Sequence, residues 1–153
     1  MLLKKLIKNL KLYEVIILLS VIYFFLNPYI TDITYFLLSM IFPFKAEENY
    51  FILDNGFKIL VENECNGLLG ILIFVFALYL FGVREKKAYI LGVFYAFFIN
   101  ILRIVLIVFL TNSNSEYFNF YHNILGRVFY VFLFLLGLFY FKKLKSDTDF
   151  TTF

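Results

Sequence analysis

Glu64-Cys65-Asn66-Gly67-Leu68-Leu69-Gly70-Ile71-Leu72-Ile73-Phe74-Val75-Phe76-Ala77-Leu78-Tyr79-Leu80-Phe81-Gly82-Val83 places the only cysteine of the chain where a polar segment ends and a long apolar run begins. Sixteen residues without a charge, Leu68 to Val83, are closed by the basic turn Arg84-Glu85-Lys86-Lys87. Such a run reads as a helix entering a bilayer, with the thiol at its mouth and the lysines at its far end. The whole chain has the same character. Of its 153 residues 63% are hydrophobic and 16% charged, against roughly 45–50% apolar in soluble domains. The expected fold class is therefore an all-α integral membrane protein.

The net charge is +3, but the basic residues sit in short clusters at the ends of apolar runs and form no stripe along one face, which argues against nucleic acid and for the positive-inside pattern. A single cysteine cannot make an internal disulfide, so no framework of bridges holds the fold. Two prolines, seven glycines and no Pro/Ser/Gly-rich linker predict one multi-span domain over residues 1–145, followed by a short cytoplasmic tail, 146–153.

Working outward from the cysteine, Leu2 to Leu12 alternates leucine and isoleucine with Lys4, Lys5, Lys8 and Lys11 at helical spacing, the pattern of a helix in the headgroup region. Tyr13 to Leu26 reads as a first span ending near Pro28. The bulky residues after it do not resemble a signal cleavage site. Ile33 to Phe44, a dozen residues against the ~20 of a straight span, reads as an interfacial or re-entrant helix on the outer side. Lys45 to Glu64 is polar and contains Phe51-Ile52-Leu53 and Phe57 to Val61 around Asp54-Asn55-Gly56, a short outer β-hairpin with an Asn-Gly turn. After Leu68 to Val83 come a span from Ala88 to about Leu110, a polar loop from Thr111 to about His122, and a span from Asn123 to Phe141 closed by Lys142, Lys143 and Lys145. About four transmembrane helices result, in the cell membrane with both termini cytoplasmic. Between Asp32 and Glu64 two lysines face six acids, consistent with that side being outside.

On this topology Cys65 and His122 meet the outer surface. Arg103 interrupts an apolar span, where a charge costs roughly 2.5–3.5 kcal/mol or more at the bilayer centre. It lies far enough from the basic turn to reach the same surface. Asn100 is three residues before it on the same helical face, placed to orient the guanidinium. Gly126, four residues after His122, lets another helix approach. A thiol, an imidazole and a guanidinium suit acyl transfer. The imidazole activates the thiolate and protonates the leaving amine, and the guanidinium donates hydrogen bonds to an oxyanion or holds a substrate carbonyl. Glu62 and Glu64 oppose thiolate formation. One histidine and one cysteine fall short of a zinc site, Gly-rich phosphate motifs are absent, and no cofactor is expected.

These residues resemble the exosortases and archaeosortases, multi-span membrane cysteine transpeptidases. Cys65-Asn66-Gly67 matches the family's Cys-x-Gly element, Asn100-Ile101-Leu102-Arg103 its Asn-x-x-Arg element, and His122-Asn123-Ile124-Leu125-Gly126 its His-x-x-x-Gly element. The likeness runs from about Gly56 to Tyr140. Asn66 stands where serine or threonine is often found, and the part before Gly56 is shorter than in typical bacterial members. The resemblance implies Cys65 as nucleophile, with Arg103 and His122 completing a triad and Asn66, Gly67, Asn100 and Gly126 in support. It implies exported proteins as substrates, each with a C-terminal sorting signal of recognition motif, transmembrane helix and basic tail. These would be cut on the outer membrane face through a thioacyl intermediate and passed to a surface acceptor.

Two other readings stay open on sequence alone. A membrane cysteine protease would share the acylation step and release a free acid. A noncatalytic scaffold or transporter subunit would use Cys65 as a small apolar side chain, His122 as an interfacial cap, and Arg103 as half of an ion pair with Glu62, Glu64 or Glu116. Arg127 has no assigned role, and the many tyrosines read as packing or interface belts.

Overall fold

The apolar runs become helices. The computed structural model describes residues 12–42, 45–47, 50–61 and 65–149. The expected headgroup helix over Leu2 to Leu12 lies outside these residues, apart from Leu12 itself.

The principal helices are α1 (Leu12–Ile41), α2 (Leu68–Leu80), α3 (Lys86–Ser113) and α4 (Gly126–Asp149). Between α1 and α2 lies a three-stranded antiparallel sheet of β1 (Lys45–Glu47), β2 (Tyr50–Ile52) and β3 (Lys58–Leu60), with β2 central. By length and composition α1, from Ile17, α3, and the helical stretch Ser115–Lys143 suffice to cross a membrane. Lipid-facing positions carry large apolar side chains, as Phe24, Phe94, Phe109 and Phe139 show by being at least 65% exposed. The chain is an integral membrane protein of mostly helical architecture, as the composition requires. The α2 helix, of 13 residues, rises about 20 Å, which is less than the ~30 Å hydrocarbon core.

Several expected boundaries shift. The first span does not end at Pro28, nor does a separate interfacial helix begin at Ile33: α1 runs unbroken from Leu12 to Ile41 with Pro28 inside it, Pro43 and Phe44 lying outside the described residues. Proline removes one backbone donor, and a helix in lipid tolerates that where neighbours supply hydrogen bonds. The carbonyl that Pro28 leaves without its helical donor is that of Phe24; one residue before the proline, the Asn27 carbonyl accepts from Thr31 Oγ1 at 3.0 Å and from Asn66 Nδ2 at 2.9 Å. The expected loop from Thr111 to His122 is also mostly helical. After Asn114 the chain makes a 3₁₀ turn (Ser115–Tyr117), one α-helical turn (Phe118–Phe120) and a π-turn (Tyr121–Leu125) that leads into α4. Asn114 caps this stretch by accepting from the Glu116 amide at 3.1 Å. At the other end α4 continues to Asp149, through the first four residues of the expected tail.

There are two cores, and Phe97 packs against both. In one, Phe74 is fully buried and meets Phe134 and Phe141 edge-on, holding α2, α3 and α4 together. The Tyr95 hydroxyl donates to the Leu133 carbonyl at 2.6 Å. In the other, register partners Phe51 and Ile59 turn one face of the sheet onto Leu38 of α1 and Ile101, Ile104 and Val108 of α3. The hairpin turn caps α3: Asn55 Nδ2 donates to the Thr111 and Asn112 carbonyls, and the Asp54 amide donates to Asn112 Oδ1. Gly56 closes that turn with φ +80°. The loop has three residues, Asp54 to Gly56, between the strands that the sequence sets on either side of it, and ends in the left-handed region.

Candidate active site

The sheet is joined to α2 by a turn built from Cys65, Asn66 and Gly67, at the seam between the two cores. Asn66 is buried and uses both ends of its amide. Its Oδ1 accepts from the Leu68 amide at 2.9 Å, starting α2, while its Nδ2 donates to Asn27 and to Thr31 Oγ1, tying the turn to the proline region of α1. Gly67 follows with φ +80°, a conformation that costs an L-residue roughly 1–2 kcal/mol. A Cβ there would come within 2.5 Å of Asn100 Cγ. Asn100 does not orient Arg103 as its i, i+3 spacing suggests. It donates from Nδ2 to the Cys65 carbonyl at 2.9 Å, which fixes the backbone of the cysteine against α3. Gly67→Ala is expected to break this contact, lower Tm in detergent and slow alkylation of Cys65 by iodoacetamide; an unchanged rate would show that the Asn100 contact does not hold the thiol in place.

His122 reaches the cysteine from the π-turn. Its Nε2 lies 3.8 Å from Cys65 Sγ, and its ring stacks on Phe118 at 5.6 Å between centroids. The π-turn decides this placement. An α-helix brings positions seven apart back to nearly one face, and the wider turn accommodates one extra residue. The inward stripe therefore reads His122, Gly126, Tyr130, Phe134 and Leu138. Gly126 leaves room for α3, since a Cβ on it would come within 2.8 Å of Ile107 Cδ1.

The tautomer of His122 follows from its neighbours. Asn123 Oδ1 accepts from Arg127 Nη2 at 3.3 Å, and a guanidinium only donates, so this atom of Asn123 is its oxygen. The same oxygen lies 3.3 Å from His122 Nδ1 and can accept its hydrogen, the tautomer that suits both contacts of the ring. Nε2 is then left as an acceptor facing the thiol. Arg127, without a role on sequence, holds the residue that orients the imidazole. Asn123 was visible only as part of a motif; its i, i+4 spacing to Arg127 was the available signal.

Arg103 lies on α3, one turn beyond the Asn100 contact. Cys65, Arg103 and His122 line one cavity, walled by Ile59, Leu60 and Val61 of the sheet, Ile104, Ile107 and Val108 of α3, and Phe118. Its volume of about 40 Å³ is room for roughly a water molecule, so a polypeptide enters only by displacing part of the wall. Among the described residues Arg103 Nε is buried without a hydrogen-bond partner, and no carboxylate pairs with it, Glu116 included. Glu62 and Glu64 lie outside the described residues. The Tyr130 hydroxyl, which sequence reading left among packing tyrosines, is buried and unpartnered too. Among the described residues no three His, Cys, Asp or Glu side chains converge as a metal site would require.

The turn leaves Cys65 just before the N-terminus of α2, whose partial positive charge favours a thiolate. A thiol facing an acceptor nitrogen, beside a buried cation, can be deprotonated and attack a carbonyl carbon.

A family model described as transmembrane exosortase matches residues 6–140. The probable archaeosortase E of Methanocaldococcus jannaschii is 38% identical over 88 residues, taking in 54% of this chain and 45% of that relative. The chain thus matches less than half of that relative's length. No solved structure matches it.

Proposed function

Because this chain belongs to the transmembrane exosortase family, we propose that it is a membrane cysteine transpeptidase acting on exported proteins that carry a C-terminal sorting signal. The single observation that carries this reading is the 3.8 Å approach of Cys65 Sγ to His122 Nε2 in a cavity shared with Arg103.

Each residue has one part. The Cys65 proton passes to His122 Nε2, and the sulfur attacks the scissile carbonyl carbon. The C–S bond forms as the π pair moves to oxygen, where the Arg103 guanidinium donates to the resulting oxyanion. Collapse breaks the C–N bond. His122 returns its proton to the departing amine, leaving a thioester on Cys65. A nucleophile at the cell surface then attacks the thioester carbon, losing its proton to His122 and releasing the thiol. Asn123, held by Arg127, keeps Nε2 rather than Nδ1 directed at the sulfur throughout.

Depth suits a membrane-anchored substrate. With the basic turn Arg84–Lys87 on the cytoplasmic side, the roughly 20 Å rise of α2 leaves the cysteine within the outer part of a ~30 Å core. A substrate helix in the same bilayer would present the residues at its outer end at that depth.

Mass spectrometry of exported proteins, from cells with and without the chain, tests the proposal. The expected result is loss of a C-terminal apolar helix and basic tail only when the chain is present, with the new C-terminus carrying an acceptor's added mass. A free carboxylate there would keep the acylation step and replace transfer by hydrolysis. Identical C-termini in both strains would overturn the reading.

A further inference from the structure

We propose that Tyr130 is a further catalytic residue, its hydroxyl joining Arg103 Nε as the second donor to the oxyanion formed on the carbonyl that Cys65 attacks. This rests on the reading of Cys65 as the nucleophile.

Arg103 lines the cavity of the candidate nucleophile, and Tyr130, which lies outside that cavity's lining, interacts with Arg103. Among the described residues, Arg103 Nε and the Tyr130 hydroxyl are both shut off from solvent and both unpartnered. Leaving one such group unsatisfied costs roughly 1–3 kcal/mol, more for a charged one. Buried polar groups are usually paired; among the described residues the Thr34 and Tyr35 hydroxyls are the other two that are not. The two act on each other electrostatically, and Arg103 also feels Cys65.

Space has been left for the hydroxyl. A Cβ on Gly70, one turn into α2, would overlap the Tyr130 oxygen, so the tyrosine is accommodated at its polar tip. Packing alone would be met by phenylalanine, whose ring could make the same tilted contact with Phe134 that Tyr130 makes at 5.9 Å. The inward stripe places Tyr130 on the same face of the helix as His122, through the extra residue of the π-turn. A hydroxyl proton rotates freely about its C–O bond. Among the described residues it has no acceptor in the resting protein, and it gains one when a carbonyl oxygen takes on charge. That is the difference between ground state and transition state on which rate depends.

Two small probes of Cys65 separate this role from a structural one. p-Nitrophenyl acetate acylates the thiol through a tetrahedral oxyanion and releases p-nitrophenolate. Iodoacetamide alkylates the same sulfur by displacing iodide and forms no oxyanion. In the full chain in detergent, Tyr130→Phe is expected to slow p-nitrophenolate release on the order of 100-fold and leave alkylation unchanged. Gly70→Ala, which displaces the hydroxyl while keeping it, is expected to move the acylation rate the same way. Equal falls in both rates for Tyr130→Phe, or no fall in either, would overturn the assignment. Processing of exported proteins by Cys65→Ala distinguishes the two levels of failure. If that variant still processes them, the nucleophile assignment itself is wrong; if it does not and Tyr130→Phe acylates normally, only the role of Tyr130 is lost.

Discussion

Cys65→Ala is expected to abolish processing of exported proteins, by about 10⁴-fold or more, while the protein inserts and folds as before. The size of the effect follows from the chemistry. No other side chain lining the cavity replaces the thiol: the remaining nine residues of the wall are one arginine, one histidine and apolar groups. Arginine stays protonated and cannot attack, and His122 without the thiol would have to activate a water for direct hydrolysis. The fold should be indifferent, because the described contact that anchors this turn to α3 is made by the Cys65 carbonyl, to Asn100 at 2.9 Å, and alanine keeps it. Cys65→Ser tests the same step differently. A hydroxyl leaves the shape nearly intact, yet it is a far weaker acid than a thiol. His122 alone, with no strong base behind it beyond the Asn123 amide, is expected to leave it largely inactive. Mass spectra of the substrates, read with membrane-inserted yield and Tm, check both variants. A noncatalytic scaffold predicts the opposite: Cys65→Ser silent, with C-termini unaltered by either variant.

The residues of this site were legible because each is a polar exception in an apolar run. Cys65 at the head of α2, Arg103 in the middle of α3 and His122 before α4 stand out against neighbours chosen for lipid, and the structure brings all three to one cavity. What such contrast cannot show is direction. Asn100 and Arg103 share a helical face by spacing, but Asn100 points at the Cys65 carbonyl. Only the Gly67 turn, formed from a different run, determines that. Pro28 misled as well. A proline in the interior usually ends a helix, whereas α1 continues past it to Ile41. The three-residue strand β1 went unread because Lys45, Ala46 and Glu47 carry no apolar alternation. Its place is an edge, paired to β2 on one side, where charges are ordinary. The π-turn was invisible because one extra residue leaves no compositional trace. Without it Tyr130 falls off the face of His122 and reads as packing.

Arg103→Met is expected to lose activity on the order of 10²–10³-fold and to raise Tm. The two effects have one cause. In the resting protein the guanidinium is largely withdrawn from water, and among the described residues its Nε finds no acceptor. Burial of a cation is costly unless paired, and replacing buried ionic groups by apolar side chains of similar volume often stabilises by about 1–4 kcal/mol. For a chain of this size each kcal/mol corresponds to roughly 2–4 °C in Tm, so the rise should be visible in a detergent melt. Methionine is close to the arginine stem in length and faces a cavity also lined by Ile104, Ile107 and Val108, where it adapts its shape to the gap left by the guanidinium. The activity goes because an oxyanion no longer meets a charge already in place. Stability lost to a group whose partner arrives only with the substrate is the exchange expected at a catalytic site. A structural ion pair makes the contrary prediction. There, removing the cation strands a buried carboxylate, and Tm falls by several degrees together with activity. A melting curve of Arg103→Met, set beside its rate of p-nitrophenyl acetate cleavage, therefore distinguishes a guanidinium held in reserve for the reaction from one that holds the helices together.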